Sequence, residues 1–159
     1  MTKQEYYAAC IAEEKKYEFP EFNRNDVWAL GCALVEAANE ASGPLAVTVW
    51  LNGTEVFRYY PCGTGRHNER WLEWKRNTVT TLEMASMTYK AKLEASGMTQ
   101  EEDGLDFPGF AACGGGFPIR LKGGTVIGFI GMSGLPDEED HAALIAGLDR
   151  YFKKHVWNS

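Results

Sequence analysis

Three consecutive glycines, Gly114, Gly115 and Gly116, stand between Cys113 and an apolar run, and no other stretch restricts the fold as strongly. Glycine costs stability inside regular structure, so a run of three is kept for backbone shape or for close approach of another group. Phe117, Pro118 and Ile119 follow, then a Gly123-Gly124 turn, then an apolar run over 126–132 bounded by Ser133 and Gly134. Two β-rich runs about a glycine turn read as a hairpin. Residues 113–135 therefore predict sheet core with an open backbone patch beside it.

The rest of the chain supplies partners for that sheet. Residues 1–16 have a helical pattern, with Tyr7, Cys10, Ile11 and Glu14 on neighbouring turns and Pro20 as a stop. A second helix is expected from Asn25 as N-cap, with Val27, Leu30, Leu34 and Ala37 as its buried stripe and Gly43-Pro44 at its end. Residues 45–51 alternate as a strand, Asn52-Gly53 is a strong hairpin signal, and 56–60 returns as the partner strand. Asn68 is expected to cap one long helix over about 69–94, closed by Gly97. A polar loop over 98–109 leads to a short strand at 110–113, and 119–121 with 125–132 make the second hairpin. Pro136 and Asp137 open a last helix, with Asp137 and Asp140 at capping-box spacing and Leu144, Ile145, Leu148, Tyr151 and Phe152 as its core stripe. The order predicts an α+β sandwich, with helices packed on an antiparallel sheet of about five strands.

Size and charge narrow the function. One domain over 1–159 is large enough to bury a core, and 45% hydrophobic content excludes a disordered chain. A formal net charge of -6 speaks against general nucleic-acid binding, which needs a basic face. Glu5, Glu13 and Glu14 interrupt the N-terminal segment, so it lacks the apolar core of a secretory signal, and no stretch reaches the roughly 20 apolar residues of a membrane helix. A cytoplasmic location without membrane contact is the expectation. Cys10, Cys32, Cys62 and Cys113 are scattered without a CxxC pair, which predicts free, mostly buried thiols and no zinc site.

The segment WLEWKRNTV at 71–79, the GGGFPI run at 114–119 and VIGFIGMSGLPDEEDH at 126–141 resemble the haem-degrading-domain superfamily, in its GlcG/HbpS-like form. The resemblance covers roughly residues 20–155, a core of about that extent within the single domain. It implies a profilin-like α/β/α sandwich that assembles into homo-oligomers. No haem-ligand motif is present to carry over, so the resemblance names no iron ligand and leaves the cofactor unknown.

The residues themselves offer three constellations. Arg66, His67, Arg70, Lys75 and Arg76 form a local basic cluster, offset only by Glu69 and Glu73. With Asn77, Ser133 and the amides of Gly114, Gly115 and Gly116, it can make an anion pocket for a tetrapyrrole or another carboxylate-bearing metabolite. The alternative is a solvated helix start or a subunit contact. His141 beside Asp140 at a helix N-terminus is a candidate acid-base pair, set against a helix cap and a packing residue. Cys113 and Arg120 are too far apart for a phosphatase loop, and Cys62 lacks a defined base, so neither thiol reads as a nucleophile. Three functions stand in order: a homo-oligomeric anion binder, an assembly protein using the same motifs for subunit contacts, and an enzyme using His141 and Asp140.

Overall fold

The structure, a computed structural model, describes residues 1–158. The chain runs α1 (Lys3–Lys16), a 3-10 turn (Arg24–Asp26), α2 (Val27–Asn39), β1 (Ala46–Leu51), β2 (Thr54–Tyr59), α3 (Arg66–Leu82), α4 (Ser86–Ser96), β3 (Gly116–Arg120), β4 (Val126–Ser133) and α5 (Asp137–His155). The strands form one antiparallel sheet in the order β2-β1-β4-β3. Asn52 and Gly53 both take positive φ, 49° and 80°, which is what a tight hairpin turn between β1 and β2 requires.

Strand alternation divides the sheet into two faces. Val47, Val49 and Leu51 of β1 join Ile130 and Met132 of β4 against α2 and α5. Leu30 and Leu34 of α2 and Leu144, Leu148 and Phe152 of α5 are fully enclosed there, each contributing about 1.5–3 kcal/mol of burial. The helical stripes expected for α2 and α5 are thus the main core, except that Ile145 is only half-buried. On the other face α3 covers β3 and β4, with Leu72 and Val79 buried, and α4 turns away to pack on α1. Helices on both faces of an antiparallel sheet make the α/β/α sandwich.

Several boundaries differ from the sequence expectation, each for a local reason. The sheet has four strands because 110–113 never pairs with one. The Ala111 N–H donates to Thr78 Oγ1 at 2.9 Å and the Ala112 N–H to Gln100 Oε1 at 3.2 Å, so side chains take the place of a ladder. The long helix over 69–94 is two helices. Glu83 adopts the left-handed conformation, and the Arg120 guanidinium donates to its carbonyl, ending α3. The second helix is entered through the 3-10 turn, capped by Asn23 and not by Asn25. Asn68 lies inside the first turn of α3, after the N-cap Gly65. Of the four free thiols only Cys10 is buried; Cys62 is exposed and the other two are half-buried.

Candidate functional site

Asn68, Trp71 and Lys75 lie three and four residues apart on α3 and so share one face. That face looks across a cleft at the end of β4 and the start of α5. Asn68 fixes the top of the cleft. Its Oδ1 accepts the Gly65 N–H at 2.9 Å, and its Nδ2 donates to the Ser133 carbonyl at 3.2 Å and to Ser133 Oγ at 3.4 Å. The cleft holds about 530 Å³, a volume suited to a small-molecule ligand, and is also lined by His67, Lys90, Cys113, Asp137 and Asp140.

Lys75 and Asp140 form its floor. Their side chains are only 2% and 4% exposed, and Lys75 Nζ lies 3.0 Å from Asp140 Oδ2. The same ammonium donates to the Met132 carbonyl at 2.9 Å, while Asp140 Oδ1 accepts the Leu135 N–H at 2.9 Å. An ammonium carries three N–H groups, so one remains without a protein acceptor among the described residues. Ser133, itself buried, accepts from Asn68 and likewise retains its hydroxyl proton. Burial pushes the Asp140 carboxyl above its usual range, against the attraction of Lys75 and the Leu135 N–H.

The triple glycine lets these elements close. A side chain at Gly114 would collide with the Asp137 carbonyl, and one at Gly115 would meet Lys75 Nζ at 2.5 Å with φ already at +109°. Two of the three amides are committed inside the protein: Gly114 N–H donates to Asp137 Oδ2 at 3.1 Å and Gly116 N–H to Ser86 Oγ at 2.9 Å. The segment therefore works chiefly as a close-packing joint. Asp137 also accepts from Lys90 Nζ at 2.9 Å. Burial raises the Asp137 carboxyl, but the Lys90 bond and the Gly114 N–H outweigh it and hold the group below its usual range.

The sequence candidates divide between separate places. Lys75, Ser133 and Asp140 line the cleft, with Gly114, Gly115 and Gly116 behind it. Arg66 extends into solvent near Glu69. Arg76 stacks 3.7 Å from the Trp50 ring centre on another face, and Asn77 donates to the Gly109 carbonyl at 2.9 Å. His141 turns away from Asp140: its Nε2 meets Glu13 Oε1 at 2.6 Å and its Nδ1 is buried without a partner among the described residues. Lys90 and Asp137 were not legible as cleft residues. Lys90 reaches it only because the helix breaks at Glu83. Cys113 lines the cleft, but burial pushes its thiol up, outweighing the nearby Lys75, so it is no activated nucleophile.

These features define a small α/β/α sandwich protein with a ligand-sized cleft between α3 and the start of α5. The chain belongs to the family of haem degrading protein HbpS-like domains, whose model matches residues 22–149. A UPF0303 protein of Streptomyces avermitilis is 35% identical over 149 residues, covering 93% of this chain and 91% of that protein. One of Rhizobium etli is 36% identical over 148 residues, covering 93% and 90%. The crystal structure of Ybr137w protein matches with a TM-score of 0.84 at 24% identity, over 94% of this chain and 89% of that one. A PduOC:heme complex matches with a TM-score of 0.65 at 22% identity, over 80% and 93%. At these identities the solved structures establish the shared fold.

The family raises haem, and the cleft's donor set does not fit its iron. His67 is exposed, and its Nε2 accepts the Trp71 indole N–H at 3.3 Å, which engages that lone pair. Burial disfavours the Cys113 thiolate, the form that would bind iron. Tyr89 is buried in the core and donates to Asp103 at 2.8 Å. Among the described residues no group of three or more His, Cys, Asp or Glu side chains is arranged for a metal ion. Among them too, no helix is long and apolar enough to cross a membrane.

Proposed function

We propose that this chain is a cytoplasmic, homo-oligomeric binding protein that takes a small carboxylate-bearing metabolite in the cleft between α3, the triple glycine and the start of α5. One observation carries the reading: Lys75 and Ser133, both nearly inaccessible, line a ligand-sized cleft and each keep an uncommitted hydrogen. A buried donor without an acceptor is costly, so two of them at one opening suit an acceptor-only group such as a carboxylate. Trp71 supplies an apolar wall for the rest of the ligand.

The test is native mass spectrometry of the purified protein, followed by titration with acetate, succinate, citrate, benzoate and hemin. A co-purifying acid or saturable binding of a small carboxylate is expected, weakened about tenfold in Ser133→Ala. Saturation by hemin alone would replace the metabolite with a tetrapyrrole. Binding of none of the five, with no co-purifying mass, would sink the proposal.

A second reading, an assembly role, rests on aromatic side chains left at the surface. Phe107 packs on Trp71 and Trp74 with ring centres 5.5 and 5.2 Å apart while staying 47% exposed. Exposed aromatic clusters are common anchors between subunits. Light scattering at micromolar concentration decides it, since a monomer would remove both this role and the oligomeric part of the first.

A further inference from the structure

The cleft contains two cations and two carboxylates, and each is already paired: Lys75 with Asp140, and Lys90 with Asp137. An incoming carboxylate that takes the third N–H of Lys75 stands beside Asp140 and shares its counter-ion. Two carboxylates on one buried ammonium do not both stay ionised easily. From this arrangement, and resting on the carboxylate-binding reading above, we infer that the cleft takes up a proton with its ligand, and that Asp140 is the group that receives it.

The surroundings of Asp140 favour this assignment. From α3 it faces Lys75. From the glycine segment it faces the Gly115 backbone, with the Cys113 thiol near by. From the end of β4, the Met132 carbonyl holds the same ammonium. On its own helix Asp137 is occupied by Lys90 from α4 and by the Gly114 N–H. His141 is turned to Glu13 of α1. His67, at the α3 end, is engaged with Trp71. Asp140 is therefore the buried carboxylate nearest the vacant N–H. Once protonated, its Oδ2 can donate to the bound carboxylate while Oδ1 keeps the Leu135 N–H. The chemistry is a proton transfer from solvent, with no bond to carbon made or broken.

Proton uptake separates this inference from the reading beneath it. Benzoate is titrated calorimetrically into the intact protein at pH 7.5 in phosphate and in Tris, whose ionisation heats differ. The expected result is a buffer-dependent heat corresponding to uptake approaching one proton per benzoate. The dissociation constant should rise toward tenfold per pH unit above neutrality. Asp140→Asn should bind benzoate without uptake and without that pH dependence. Equal heats in both buffers would overturn the inference and leave carboxylate binding standing. Uptake that persists in Asp140→Asn would overturn it as well, by assigning the proton elsewhere. No binding of benzoate in either buffer would overturn both. If Asp140→Asn fails to fold, carbon-detected NMR of the Asp140 side-chain carboxyl in the intact protein decides the assignment: an upfield shift on benzoate binding supports it, and a fixed resonance overturns it.

Discussion

Lys75 and Arg76 are adjacent in the chain and have different roles. Lys75 points into the cleft, almost wholly enclosed, and is held by Asp140 and the Met132 carbonyl. Arg76 lies about 100° further round the helix, spread over Trp50 beside an open face of the sheet. A buried ion pair balances a large desolvation cost against a specific geometry, so losing one partner is expensive. An accessible cation on an aromatic ring is worth little by comparison. The difference shows that position on the helix decides what a basic residue does, even within one cluster.

The largest effect should come from breaking the buried side of this contrast. Lys75→Met leaves Asp140 enclosed and unpaired, and should cost about 3–5 kcal/mol in urea denaturation. Replacing both partners, Lys75→Met with Asp140→Leu, should recover most of that loss. Next is the joint behind the pair. Gly115→Ala forces a side chain toward Lys75 at a φ of +109°, and should cost at least about 1–3 kcal/mol. Gly123→Ala has a similar φ of +105° with nothing within 4 Å, so it isolates the strain and should cost less.

A smaller effect concerns acid. Asp137 is held below its unfolded value of about 3.9, so its contribution is present above that pH and is lost as pH falls through the folded value. Thermal melts over that acid range should show a decline that is shallower in Lys90→Met. The smallest change is expected at the half-buried cation on Trp50. Arg76→Ala should lower stability by about 0.5–1 kcal/mol and leave carboxylate binding unchanged. A matching loss of binding would erase the distinction between the two neighbours.

Much of the architecture was legible because it follows periodicity. Val27, Leu30, Leu34 and Ala37 announced the buried face of α2, and Asn52-Gly53 announced the first hairpin. The break at Glu83 was not legible, because no glycine or proline marks it and the Arg120 guanidinium that meets its carbonyl lies far along the chain. The same holds for 110–113, whose backbone is satisfied by Thr78 and Gln100 across the fold. At the site, residues of the 66–77 segment line the cleft and the triple glycine packs behind it. Sequence could not separate Lys75 from Arg76 without knowing which face α3 buries, and the pairing of His141 with Glu13 depends on where α1, docked on α4, carries Glu13.

The most direct measurement is nitrogen-detected NMR of the Lys75 ammonium and the Arg76 guanidinium during a benzoate titration. Enclosure should protect the Lys75 signal from rapid exchange and make it visible. Recognition of a carboxylate in the cleft predicts that the Lys75 resonance moves saturably while that of Arg76 stays fixed. A fixed Lys75 resonance, or a saturable shift at Arg76 alone, would contradict it.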